Sequence, residues 1–242
     1  MQSGIYGTAL QAACYNHHKQ VVRTLLENGA DVNIQGGRYC NPLEAVCAQG
    51  EEDLLLMLLG DGAECNTQGG TFGSPLLAAS HTGNISIVRL LLQKGADIMA
   101  VDGQGKTCLH NAASKRHEDV VRLLLAEMAE INVVDHDGAT ALLRAAGNRR
   151  FGTTKLLLDQ GADVSKRDKH GATALHGGVQ MGYEIVRMML EKKCDIMAID
   201  SDGATALHRA ARDGHELVMQ LLLENGANVM ARERRQCYGK KL

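Results

Sequence analysis

The chain of 242 residues contains no tryptophan and only two phenylalanines and five tyrosines. A single thick core draws much of its bulk from aromatic rings, so thin layers filled by Leu, Ala, Val and Met are expected instead. No charge sign dominates: 26 Lys and Arg stand against 28 Asp and Glu, a formal net charge of −2. That balance gives the molecule as a whole no pull towards nucleic acid or an anionic membrane. The longest uninterrupted apolar run is Leu54 to Leu59, far short of the roughly 20 residues a spanning helix needs. The first residues, MQSGIYGTALQAAC, lack a basic region followed by an apolar one, so they do not read as a signal peptide. The seven cysteines form no CxxC pair and no Cys/His cluster of zinc spacing, which leaves neither a metal nor a cofactor to expect. Their unpatterned count reads as reduced thiols in a cytoplasmic protein, a nuclear one being the alternative. A hydrophobic share of 45% argues against disorder.

What the chain does contain is a repeat. A leucine two residues after a Thr, Asn or Ser recurs at Leu10, Leu43, Leu76, Leu109, Leu142, Leu175 and Leu207, spaced 33, 33, 33, 33, 33 and 32. The preceding Thr8, Asn41, Ser74, Thr107, Thr140, Thr173 and Thr205 are expected N-caps, since a short side-chain oxygen accepts from an orphan helix N–H. Pro42 and Pro75 then fall at the first helical position, where a missing N–H costs nothing. Small residues follow, as at Ala13–Cys14, Ala79–Ser80 and Ala145–Ala146, and would let successive first helices approach closely. A break, often at Gly (Gly50, Gly83, Gly182, Gly214), precedes a second, leucine-rich helix that ends at Gly29, Gly62, Gly95, Gly161 or Gly226. Asp-x-x-Gly turns lead to the next cap at Asp102–Gly105, Asp135–Gly138, Asp168–Gly171 and Asp200–Gly203. The first three repeats instead carry Tyr6, Tyr39 and Phe72 at the turn glycine, after Gly36–Gly37 and Gly69–Gly70 in two of them. Repeat six is one residue short near Tyr183–Glu184 and has Lys193 at the terminating glycine; repeat five has Arg149, Arg150 and Phe151 in its break. Helices this short must bury their apolar stripes against neighbours.

The segments GKTCLHNAA (105–113), GATALHGG (171–178) and GATALHRAA (203–211), with KGAD and NGAD closing second helices, resemble the ankyrin repeat family over nearly the whole chain. The first three repeats are similar in style to arrays in large fungal multidomain receptors of the nucleotide-oligomerisation type. The resemblance implies an all-α solenoid of stacked helix-turn-helix units with projecting β-turn fingers. It would form a single domain over 1–242, with repeats at about 1–33, 34–66, 67–99, 100–132, 133–165, 166–197 and 198–230. Residues 231–242 would be a basic tail or the next finger cut short. Because the chain begins and ends inside a finger, it reads as a monomeric segment of a larger polypeptide.

Several segments carry the look of chemistry. AVDGQGKT (100–107) fits a relaxed phosphate-loop pattern and is the basis of the competing reading, an enzyme or nucleotide-binding protein built on the array. It lacks the preceding core strand, and the same G-x-T recurs without Lys as GAT at 138, 171 and 203, so a finger turn is the expected structure. His110, His176 and His208 share one register; the resemblance implies that they tie fingers to helices and do not act as catalytic bases. No Ser or Cys has a base and an orienting group at readable spacing, and no catalytic residue is expected. Cys14, Cys47, Cys65, Cys108 and Cys194 are expected to be buried and inert, and Cys40 and Cys237 exposed. Asn84-Ile85-Ser86 is a glycosylation sequon with no use inside the cell. The tail from Arg232 to Lys241 is read as a solvated end.

The family implies protein binding through finger tips and first-helix positions that line a concave face. Carried onto this sequence, the partner-binding positions are Tyr15, Asn16, Arg38, Gln49, Thr71, His81, Gln104, Lys106, Lys115, His136, Asp137, Asn148, Lys169, His170, Met181, Ser201, Asp202, Arg212 and Asp213. Their mixed signs imply a protein partner with a matching mixed surface, and neither a membrane nor a nucleic acid.

Overall fold

The computed structural model describes residues 7–233. Tyr6, Cys237 and the basic tail beyond Glu233 lie outside the described residues. Fourteen α-helices follow one another in seven pairs, and the only β-pairing among the described residues is in isolated bridges. They fall into two compact units, with the chain dividing between Glu130 and Ile131. The first holds α1 (Ala9–Tyr15), α2 (Lys19–Glu27), α3 (Pro42–Gln49), α4 (Glu52–Gly60), α5 (Pro75–Thr82), α6 (Ile85–Gln93), α7 (Cys108–Lys115) and α8 (Glu118–Ala126). The second holds α9 (Ala141–Gly147), α10 (Phe151–Asp159), α11 (Ala174–Gly178), α12 (Tyr183–Glu191), α13 (Ala206–Arg212) and α14 (Glu216–Glu224). No helix among these is long and apolar enough to cross a membrane.

In each unit the first helices of successive pairs pack on one another, α1 on α3 on α5 on α7 and α9 on α11 on α13. The expected caps sit where the spacing puts them, from Thr8 to Thr205. Asn41 accepts from the Glu44 N–H at 2.7 Å and Ser74 from Leu77 at 3.2 Å. The paired small residues explain the close stacking: Cys14, Val46, Cys47, Ala79, Ser80, Ala112 and Ala145 are fully buried. Ala211, the last of these small residues, is exposed. Gly177 marks a close approach of α11 to α9, since a Cβ there would lie 2.8 Å from the Ala146 carbonyl carbon.

Every break between paired helices takes a left-handed or otherwise positive-φ residue: His17, Gly50, Gly83, Arg116, Arg149, Gly182 and Gly214. The missing residue of repeat six has a local consequence here. α11 shortens to five residues and continues as a 3₁₀ turn at Val179–Met181. Gly182 then serves as break and cap together, at φ 96° and ψ −175°, a region open essentially to glycine alone. Lys193 and Met128 take the left-handed conformation that glycine supplies at the other second-helix ends.

The second helices bury Ile87, Val88 and Leu91 in α6 and Val120, Val121 and Leu124 in α8. In α10 the same register holds Thr153 and Thr154, both fully buried and with hydroxyls that have no partner among the described residues. A buried hydroxyl without a hydrogen bond costs roughly 1–3 kcal/mol. Thr153→Val and Thr154→Val keep the shape that the other repeats fill with aliphatic side chains. Each should raise unfolding stability by about 1 kcal/mol in urea titration. A loss of stability in both would show that the hydroxyls are bonded in solution.

Candidate partner-binding surface

The fingers owe their shape to one aspartate each. In the turn beginning at Asp102, the carboxylate Oδ1 accepts from the Gln104 and Lys106 N–H groups at 2.8 and 3.0 Å. Asp135, Asp168 and Asp200 repeat the arrangement on residues two and four positions ahead. The turn glycine N–H closes each loop on the aspartate carbonyl, as Gly105 does on Asp102 at 2.9 Å. Gly105, Gly138, Gly171 and Gly203 have φ between 71° and 78°, which is why glycine stands there. These bonds also decide the phosphate-loop question. The N–H groups of residues 104 to 107 are consumed by Asp102 and His110, so AVDGQGKT is a finger turn without a cradle of free donors.

In five of the seven repeats the position after the repeated leucine carries a polar side chain that bonds the turn segments; in repeats three and five it is Leu77 and Leu143. His176 Nδ1 accepts from the Thr173 N–H at 3.1 Å, and its Nε2 lies 3.1 Å from the Ala204 carbonyl. Since Nδ1 accepts, the proton sits on Nε2 and is donated to that carbonyl. Burial, with Arg209 nearby, holds the imidazole below its ordinary pKa and so neutral. His208 makes the same pair of contacts, to Thr205 and the Ala231 carbonyl, and His110 Nδ1 accepts from Thr107. Gln11 does this work in repeat one, accepting from Thr8 and donating to the carbonyls of Gly36 and Cys40. Glu44 does it in repeat two, accepting from the Phe72 N–H at 2.8 Å. The family-implied tie between histidine, finger and helix is present, and the same register accommodates Gln and Glu.

The aromatic residues that replace the turn glycine build a second device. Tyr15 stacks on Tyr39 with ring centroids 5.5 Å apart, Tyr39 on Phe72 at 6.3 Å, and Phe72 meets His81 at 5.0 Å. Tyr15 and His81 are therefore half-buried members of a ring stack along the first unit.

Of the expected positions, Asn16, Arg38, Thr71, Gln104, Lys115, His136, Asn148, Lys169, His170, Ser201, Asp202, Arg212 and Asp213 are exposed. Tyr15, Gln49, His81, Lys106, Asp137 and Met181 are half-buried. The first unit brings Arg38, Thr71, His81, Gln104 and Lys106 together around a groove of about 630 Å³. Burial, then Lys115, His117 and Lys106, hold His81 below its ordinary pKa, so its imidazole is neutral beside those lysines. In the second unit Asn148, His170, Ser201 and Asp202 border a cavity of about 500 Å³.

Two pairs of these residues are engaged with each other. Lys169 Nζ lies 2.5 Å from Asp137 Oδ1, and the Lys169 N–H donates to the Asp137 carbonyl at 2.7 Å. Lys169, then Arg144, hold the Asp137 carboxyl well below the usual carboxylate range. Asp213 pairs with Arg212 at 3.0 Å and also accepts from Gln180. The thiol expectation needs a correction at Cys65, which is half-buried, whereas Cys14, Cys47, Cys108 and Cys194 are buried as expected. Cys40 too is only half-exposed. Burial pushes Cys14 and Cys108 up to about 12, where no reactive thiolate forms. Asn84 of the sequon is a helix cap that accepts from Ile87 and donates to the Gly50 carbonyl, both at 3.1 Å.

Sequence reasoning missed an asparagine ladder on the opposite edge. Asn33 donates to the Gly62 carbonyl and accepts from Glu64, and Asn66 does the same with Gly95 and Asp97. Its signal was an Asn after the second helix at multiples of 33, at Asn33, Asn66 and Asn132, with Met99 in the intervening repeat.

A family model of ankyrin repeats in three copies matches residues 43–135 and 124–200, and a model of the single ankyrin repeat matches residues 7–37 and 202–234. No curated protein matches the chain.

Proposed function

The chain belongs to the ankyrin repeat family, whose repeats are generally protein–protein interaction modules and whose members are typically non-enzymatic scaffolds; from that premise we propose that it is a scaffold, adaptor or sensor array. It binds a partner protein across the finger tips and the C-terminal ends of the first helices, the concave face expected of the family. The repeats follow the boundaries read from the leucine spacing, seven in number. The observation that carries the reading is a division of labour among the finger residues. Asp and His side chains, or Gln11 and Glu44 in their place, hold the backbone rigid, while neighbouring positions such as Arg38, Thr71, Gln104, His136 and Ser201 present polar side chains to solvent. Surfaces organised in this way lose little entropy on binding. A reducing compartment, cytoplasm or nucleus, is supported by the free thiols of the six described cysteines.

The test is affinity capture with the full chain, identification of the captured protein by mass spectrometry, and charge reversal. Lys106→Glu with Lys115→Glu alters the finger side of the first unit; Lys106 donates to Gln104, and neither lysine has an ion pair among the described residues. Partner affinity should fall about tenfold or more, the cost of like charges facing across an interface. Stability should move by no more than about 0.5 kcal/mol per site. The control is Arg89→Glu with Arg122→Glu, exposed on α6 and α8, which should leave capture intact. Lys155 and Arg187 are unsuitable controls because they pair with Glu184 and Glu191. Loss of binding in the control alone would place the partner on the second-helix side.

A further inference from the structure

The repeats of the second unit differ at one position that their own symmetry makes interpretable. Two residues after the repeated leucine stand Arg144 in α9, Gly177 in α11 and Arg209 in α13. Arg144 Nε donates to Asp135 Oδ2 at 2.6 Å, and its Nη2 to Asp137 Oδ2 at 2.7 Å. Arg209 Nη2 donates to Asp200 Oδ2 at 2.7 Å. Asp135 and Asp200 thus use Oδ1 for their own turns and Oδ2 for the arginine of their own repeats. Asp168 keeps the first half of this pattern, with Oδ1 accepting from His170 and Ala172, both at 2.9 Å. Its Oδ2 has no partner among the described residues, because Gly177 supplies no side chain.

In place of that missing side chain is the cavity of about 500 Å³, lined by Gly177, Asp168, Thr173, His170, Asn148 and Asp202, among others. Arg144 and Arg209 stand at its two sides, and both are already bonded to carboxylates, so they offer little to an incoming anion. Asp202 on the rim has no ion pair among the described residues. The chain cannot fill the space from Gly177 itself, since a Cβ there would press on the Ala146 backbone at 2.8 Å. The chemistry left open is therefore Asp168 Oδ2, with the Asp202 carboxylate on the rim, in a slot shaped by repetition for a guanidinium.

We propose that this cavity is a socket for an arginine side chain of a partner polypeptide, whose guanidinium bonds Asp168 Oδ2 as Arg144 and Arg209 bond Asp135 and Asp200. The inference rests on the protein-binding reading and names the chemistry the partner brings. A planar fork suits the site better than a lysine ammonium, because it can donate to Asp168 and Asp202 together.

The experiment titrates the isotope-labelled full chain with acetyl-Gly-Arg-Gly-amide and follows backbone amide shifts by NMR. Saturable shifts should concentrate at Asp168, Thr173 and Gly177. The citrulline peptide, equal in shape and uncharged, should bind about tenfold more weakly, as loss of one charge-assisted bond requires. Asp168→Asn retains an Oδ1 for the turn and should weaken the arginine peptide by a similar factor. The citrulline comparison uses the unaltered chain and stands even if that variant unfolds. Shifts that do not saturate, equal binding of arginine and citrulline peptides, or preference for a phosphoserine peptide would overturn the socket. A captured protein partner that binds Asp168→Asn as well as the unaltered chain would also overturn it and leave the protein-binding reading intact. Saturable arginine binding with no protein captured would do the reverse.

Discussion

Replacing Glu44 by Gln should stabilise the first unit at pH 8 by on the order of 2–4 kcal/mol and abolish a fall in stability that the unaltered chain shows as pH rises from about 5 to 8. Glu44 is 1% exposed, and its Oε1 accepts a single backbone N–H, from Phe72. Burial pushes its carboxyl up from an ordinary 4.5 to about 8, against the opposing pull of that N–H. Below about pH 4.5 the carboxyl is protonated in both folded and unfolded chains, and stability is complete. Between that value and about 8 the unfolded chain releases the proton while the folded chain keeps it. Unfolding is favoured there by up to about 1.4 kcal/mol for each pH unit. Glutamine removes the proton equilibrium while keeping the acceptor. Gln11 shows how it would sit, with Oε1 on Thr8 and Nε2 on the carbonyls of Gly36 and Cys40; one repeat on, the corresponding carbonyls are those of Gly69 and Gly73. Urea unfolding of both proteins at pH 5, 6.5 and 8 measures the difference. Parallel curves would mean that Glu44 ionises freely in the fold.

Leu58→Ala should cost about 2–5 kcal/mol and Leu56→Ala no more than about 0.5 kcal/mol, although the two leucines are nearly adjacent in one apolar run. Leu54, Leu55 and Leu58 are fully buried, where α4 packs against α3 and α6, whereas Leu56 is 50% exposed. Truncation at Leu58 removes packed methyl groups and leaves a cavity that rigid neighbouring helices fill only in part. Truncation at Leu56 removes surface that is half in water already. Thermal or urea unfolding of the two variants side by side gives the comparison. Equal losses would show that α4 is rotated relative to the buried face described above.

The repeat length, the caps from Thr8 to Thr205, the breaks at Gly50 and Gly83 and the finger aspartates were all legible in the residues. Each expresses a local rule: a short side chain that accepts a neighbouring N–H, or a backbone conformation that excludes most side chains. The shortened repeat was legible too, as a count of 32 where the others have 33. How it is absorbed was not, because a five-residue helix, a 3₁₀ turn and Gly182 at φ 96° are the answer of the surrounding packing to a missing residue.

The candidate surface divides in the same way. The family resemblance, carried through the register, implied exposed finger positions for Arg38, Gln104, His170 and Ser201, and the four are exposed. The same register did not show that Lys169 and Asp137 bond each other, that Tyr15 stacks under Tyr39, or that Glu44 is a protonated acid. Those outcomes depend on what comes from the next repeat, about 30 residues along the chain and beyond the reach of any local pattern. The sequence by itself determined the architecture, because an ankyrin repeat is specified by rules that act within its own turn, cap and helix pair. Only the tertiary structure decided which side chains are free and which are spent, because stacking sets each repeat's charges and rings against those of its neighbours. The open oxygen of Asp168 is a case of this kind: the neighbouring Asp135 and Asp200 each meet an arginine of their own repeat, whereas the close packing of α9 on Gly177 leaves Asp168 without one.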